Sequence, residues 1–223
     1  MRILIAGAGR AGLSVAAYLS TAGHQVSVID RDPLVCVRAK DQLGIVALVG
    51  DAADAAILTE AEVRHAEAVV AMLHRDADNL AVASLAKLAQ VPRVMVRMRD
   101  PEYRPVYLAA GVHRILSETE IFIGALAAAI EHEAVRHAML LGNGESVAFE
   151  VLIPEVSKVV GRTISEVANL PEFPKSCVFA GLYEPDGSVE GPRGHSVIRG
   201  GMTVLIVALR DEVKKTLALL IEK

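Results

Sequence analysis

Gly7, Gly9 and Gly12 stand in G-x-G-x-x-G spacing at the end of the apolar run Arg2-Ile-Leu-Ile-Ala6 and directly ahead of a helix-forming stretch. That arrangement can hold a nucleotide by its phosphates. Gly7 permits a tight turn, Gly9 leaves the backbone open to close approach, and Gly12 lets the helix pack on the strand. The free N–H groups at the helix start then face the anion from the positive end of the helix dipole. Asp30 closes the next apolar run, Gln25-Val-Ser-Val-Ile29. A carboxylate there accepts hydrogen bonds from both ribose hydroxyls and repels a 2′-phosphate; Arg31 beside it works against that preference. Arg10 lies between the glycines, where a planar guanidinium either forks onto terminal phosphate oxygens or stays a solvated loop cation.

Further polar groups follow other apolar runs, where open α/β sheets bind ligands. Gly50-Asp51 follows Ile45–Val49, and His74-Arg-Asp76-Ala-Asp78-Asn79 follows Ala68–Leu73. Arg97 interrupts the run Val94–Met98. A charge in such a run needs a partner: an ion pair with Asp51 or Asp76, or contact with a phosphate or an adenine face. Catalytic chemistry has little to work with. His65, His74, His113, His137 and His195 are scattered, with no matching Ser, Cys or Asp arrangement and no second region large enough for a substrate cleft. His132, Glu133 and His137 could share part of a helical face, yet two side chains from one helix need further ligands to hold a metal. The expectation is a nucleotide-binding protein with no catalytic residue and no metal site. A small NAD-dependent oxidoreductase, or a soluble ligand sensor without a membrane partner, are the alternatives.

These groups must be held by elements, and the pattern from Arg2 to Ser117 supplies them. The β-branched runs Ile3–Ala6, Val26–Ile29, Ile45–Val49, Ala68–Leu73, Val94–Met98 and His113–Leu116 alternate with helical periods. Asp32-Pro33 places an N-cap before a proline at the first helical position, and Gly44 follows Leu43 as a stop. Asp100-Pro101 repeats the device, with Gly111 closing the next helix. Strands and helices in this order, headed by a glycine fingerprint, predict a Rossmann-like doubly wound parallel sheet over 1–117. Residues 118–141 read as one long crossover helix, about 35 Å at about 1.5 Å per residue, apolar all round over Ile121–Ile130 and therefore suited to packing on a second subunit. Gly142-Asn-Gly-Glu145 reads as a hinge. Over 146–223, Val147, Phe149, Val151 and Ile153 alternate as a strand, Thr163-Ile-Ser-Glu166 is a capping box, Cys177–Tyr183 and Met202–Leu209 are strands, and an amphipathic helix carries Val213, Leu217, Leu220 and Ile221. This is a small α+β domain.

The bulk properties agree. The 223 residues suit one standard domain plus a small one, and 52% hydrophobic against 22% charged residues exceeds what one monomeric core needs, which favours a homo-oligomer. A net charge of -4 gives no electrostatic reason to expect nucleic acid. Cys36 and Cys177 form no C-x-x-C pair, which fits a reducing cytoplasm. No signal peptide is expected ahead of the first strand, and no apolar run has the length of a membrane span.

Gly7-Ala-Gly-Arg-Ala-Gly12, Asp30, Gly50-Asp51, Asp76-x-x-Asn79 and Val96-Arg-Met-Arg-Asp-Pro-Glu-Tyr103 together resemble the nucleotide-binding domain of the RCK family, regulators of K⁺ conductance, in its TrkA and KtrA forms. Val151–Pro154, Val160-Gly161-Arg-Thr163, Asp186-Gly187 and Ile198–Val207 resemble that family's C-terminal module. The resemblance covers essentially the whole chain. It implies a nucleotide site made by Gly7, Gly9, Arg10, Ala11, Gly12, Asp30, Arg31, Asp51, Leu73, Asn79 and Arg97. It also implies NAD(H) or ATP/ADP as regulatory ligand, dimers assembling to a ring, and attachment to a K⁺-translocating membrane subunit of the TrkH or KtrB type, peripheral on the inner face of the cell membrane. Departures stand at Leu73, where the family often has Thr or Ser, and at Gly200-Gly201-Met202, where many relatives have Gly-Asp-Arg. Ser117-Glu118-Thr119 replaces a frequent Ser-Pro-Glu, leaving Glu118 and Glu120 as alternative acids facing a neighbour's nucleotide.

Overall fold

The computed structural model describes residues 1–131, 134–141 and 145–222, and these divide into two compact units, Met1–Glu118 and Thr119–Lys223. In the first, β1 (Arg2–Ala6), β2 (Gln25–Asp30), β3 (Val46–Val49), β4 (Ala68–Ala71), β5 (Arg93–Met98) and β6 (Arg114–Ser117) form a parallel sheet in the order β3-β2-β1-β4-β5-β6. Between them run α1 (Arg10–Thr21), α2 (Pro33–Leu43), α3 (Ala55–Glu60), α4 (Asp76–Leu88) and α5 (Arg104–Ala109). The strand order reverses between β1 and β4, so the loop leaving β1 sits at the switch point where such sheets take ligands.

The central strands are apolar without alternation because both faces are covered. Ile3, Leu4, Ile5 and Ala6 of β1 and Ala68–Ala71 of β4 are all buried. Successive residues still divide between the faces: Leu4, Ala6, Val69 and Ala71 join one core cluster, and Ile3, Ile5, Ala68 and Val70 the other. The expected caps are in place. Asp32 and Asp100 accept from the amides of Leu34 and Glu102, and Gly44 closes α2 in the left-handed conformation.

The second unit carries a five-stranded antiparallel sheet in the order β10-β9-β11-β8-β7. Its strands are β7 (Val135–Leu141), β8 (Ser146–Leu152), β9 (Val178–Tyr183), β10 (Val189–Glu190) and β11 (Thr203–Leu209). With α7 (Ile164–Ala168) and α8 (Val213–Ile221) they enclose a core that includes Phe149, Ile153, Phe179, Met202 and Leu220, in which the rings of Phe173 and Phe179 stack at 5.3 Å. Thr163 and Glu166 form the capping box that starts α7.

One expectation needs correcting. The connecting helix, α6, covers Glu118–Glu131 and does not extend to Leu141, because Val135–Leu141 is the edge strand β7, paired antiparallel with β8. Ala, Met and Leu in this stretch are good helix formers, and cross-strand pairing with Val147, Phe149 and Val151 overrides that preference. The expected hinge at 142–144 and the pair His132 and Glu133 lie outside the described residues.

Candidate functional site

The loop between β1 and α1 is shaped by its glycines. Gly7 has φ +99°, and a Cβ there would lie 2.8 Å from the carbonyl oxygen of Met72; at Gly12 a Cβ would lie 2.0 Å from the oxygen of Gly7. Gly9 differs. Its φ of −59° suits any residue, and nothing lies within 4 Å of where its Cβ would be. The space above Gly9 is a cradle that a side chain would fill. No side chain caps α1, so the amides of Arg10, Ala11 and Gly12 at its first turn are left for a ligand. Arg10 is exposed, and its guanidinium makes no hydrogen bond or ion pair with the described residues.

Asp30 lies at the end of β2, next to this loop. Its carboxylate accepts from the amide of Ala8 at 2.7 Å and that of Asp32 at 2.9 Å, one on each oxygen, which fixes its orientation and leaves lone pairs for two hydroxyl donors. Arg31 is turned onto Asp51 at the end of β3 and pairs with it. The Arg31 hydrogen bond, helped by the amide of Ala53, holds the Asp51 carboxyl below the usual range. Arg31 is thus turned away from Asp30 and spends its charge on Asp51.

At the end of β4, Asn79 is fully buried and spends its side chain on backbone. Its Oδ1 accepts from the Leu73 amide at 2.7 Å, and its Nδ2 donates to the carbonyls of Leu73 and Arg97 at 3.2 and 3.0 Å. Asn79 therefore holds the backbone of Leu73 and Arg97 in place. Arg97 donates from Nη2 to Leu73 O at 3.0 Å, while its Nε is buried without a hydrogen-bond partner. Neither expected ion partner takes Arg97; its Nη1 lies 3.6 Å from Glu118. Asp76 is occupied elsewhere. It accepts from the amides of Arg99 and Asp100 and from the Tyr107 hydroxyl, whose titration is pushed up by burial and then by Asp76 itself.

The structure thus gathers Gly7, Gly9, Arg10, Ala11, Gly12, Asp30, Arg31, Asp51, Leu73 and Arg97 at the C-terminal edge of one sheet, with Asn79 beneath. Glu118, Arg99 and Tyr107 join them, and only Glu118 was singled out from sequence. Among the described residues no His, Cys, Asp and Glu group has the arrangement of a metal site. A cavity of about 410 Å³ opens near Arg2, His24, Ile45 and Glu62. It lies at the opposite, N-terminal edge, away from the glycine loop.

A glycine loop at the switch point, an uncapped helix start and an oriented carboxylate at the end of β2 mark a Rossmann-like α/β domain, here followed by a small antiparallel-sheet domain. Residues 3–118 match the family model of the TrkA-N domain and residues 148–221 that of the TrkA-C domain, so the chain belongs to the TrkA family. It is 27% identical to the Trk system potassium uptake protein TrkA homolog of Methanothermobacter thermautotrophicus, over 96% of this chain and 97% of that one. It is 31% identical to the homolog of Archaeoglobus fulgidus, of which it spans 48%. Among solved structures, the GsuK channel superposes on all of this chain with TM-score 0.70 at 19% identity, and GsuK bound to NAD on 99% of it with TM-score 0.67. The chain spans 39% of either GsuK chain.

Proposed function

We propose that the protein is a cytoplasmic regulatory subunit of a potassium uptake system, not an enzyme, and that it changes conformation with NAD(H) or ATP/ADP bound at the Gly9 cradle. The observation that carries this is the open space over Gly9, bounded by uncapped amides, the unpaired Arg10 and the oriented carboxylate of Asp30. When bound, the nucleotide supplies a diphosphate for the α1 amides and a ribose for Asp30. The names of the TrkA relatives and the NAD-bound state of GsuK support the assignment. A regulatory role is supported by the neighbouring groups, since His74 lies against Arg99 and Asp76 is tied to backbone amides, leaving neither as a poised acid or base. No helix among the described residues is long and apolar enough to cross a membrane, so a K⁺-translocating partner of the TrkH or KtrB type belongs to the proposal, with a homo-oligomer docking on it.

Calorimetric titration of the full chain with ADP, ATP, NADH and NADPH tests the ligand. NADH should bind more tightly than NADPH, and Asp51→Asn, which frees Arg31, should narrow that gap. Absence of binding by every one of these nucleotides at millimolar concentration would sink the reading. Co-purification with a K⁺-translocating membrane protein tests the partner.

A further inference from the structure

Arg97 brings a positive charge to the C-terminal end of β5, against the carbonyl of Leu73. Its Nη2 is bonded to Leu73 O, and Met72 and Leu73 are the residues that a Cβ on Gly7 would strike, at 2.8 and 3.1 Å. The glycine loop and the Arg97 head therefore share one support. Acids along this edge are committed: Asp30 to two amides, Asp51 to Arg31, and Asp76 to two amides and a hydroxyl. Glu118 is held differently. It faces Arg97 Nη1 at 3.6 Å and Arg99 Nε at 3.8 Å, both longer than a hydrogen bond, and its side chain is 53% exposed. Arg97 is only 20% exposed, and its Nε is buried without a partner. A half-buried guanidinium with an unused donor is thus balanced by a loosely placed, solvated carboxylate.

We propose that Glu118 is an internal stand-in for nucleotide phosphate: it occupies the anion position on Arg97 and Arg99, is displaced when a polyphosphate binds, and so sets affinity and the preference for phosphate number. This rests on the nucleotide reading of the cradle. An exposed ion pair contributes little and is readily exchanged, whereas a phosphate bonded by a guanidinium fork is held by stronger charge-assisted bonds. Glu118 therefore acts as a competitor and not as a ligand-binding group. It is also the first residue of α6.

Titrating the full chain and Glu118→Gln with adenosine, ADP and ATP tests the proposal. The variant should bind ADP and ATP about three- to tenfold more tightly, the equivalent of removing a weak exposed pair at each guanidinium, with adenosine unchanged. In an Arg97→Gln, Arg99→Gln background the gain should vanish, and adenosine binding there reports that the site is still folded. Unchanged or weaker ADP and ATP binding by Glu118→Gln overturns the inference while leaving the nucleotide site standing. An equal gain from Glu102→Gln would mean a general field effect and also overturns it. Failure of both wild type and variant to bind any nucleotide overturns the inference together with the reading beneath it.

Discussion

Two glycines in one loop perform opposite tasks, and alanine separates them. At Gly12 the added methyl meets a backbone oxygen at 2.0 Å, so Gly12→Ala must push α1 off β1. Overpacking of this kind costs about 1–3 kcal/mol, and the melting temperature should fall with or without nucleotide. At Gly9 the methyl meets nothing, so Gly9→Ala should melt like wild type alone yet lose the stabilisation that ADP gives wild type. Paired melting curves read both outcomes. Arg10 poses a different question, that of which phosphate is sensed. A residue at the start of α1 with an unpaired fork can reach outward to a γ-phosphate, and losing such a charge-assisted bond costs about 1.5–3 kcal/mol, or about one to two decades of affinity. Arg10→Ala should weaken ATP far more than ADP in a calorimetric titration; an equal loss would confine Arg10 to supporting the diphosphate.

Elements set these residues in place, and Asn79 shows how. Its fully buried amide joins the end of β4 to β5 through three backbone bonds, one to the Leu73 amide and two to carbonyls. Asn79→Ala leaves the Leu73 amide and the Arg97 carbonyl without this partner, at a cost of about 1–3 kcal/mol, so the fold should melt earlier and ADP should bind more weakly through a loosened Leu73. Asn79→Asp, equal in shape, cannot donate to the two carbonyls and should do no better. How much of this could be read beforehand follows from the same physics. The strands of the parallel sheet were legible because burial on both faces writes continuous apolar runs, and the caps at Asp32, Asp100 and Thr163 because their bonds are local. The Arg31–Asp51 pair, the Glu118 contact with Arg97 and the Asp76 clamp join residues 20 or more positions apart, and no local pattern records which acid a given arginine will meet. Strand β7 was hidden for another reason: its Ala, Met and Leu favour a helix, and its pairing with β8 is a cross-strand contact that no local helical preference reveals.

In the molecule as a whole, α6 carries apolar side chains that the described residues leave exposed. Phe122, Ile123, Leu126 and Ile130 are exposed, and their spacing places them along one side of the helix. A second copy of the chain would bury this stripe, and Leu126→Asp should shift the mass seen by light scattering toward monomer or give insoluble protein. Wild-type assembly and solubility in that variant would move the interface elsewhere. The glycine loop also bears on how quickly such an assembly could answer a changing cell. Gly7 is already bonded to Ile29 at 2.8 Å and Ala8 to Asp30 at 2.7 Å, so the loop has little left to order when a nucleotide arrives. Its rivals should then enter at similar rates and differ chiefly in how long they stay, which makes residence time, more than arrival, the quantity by which this protein tells one nucleotide from another.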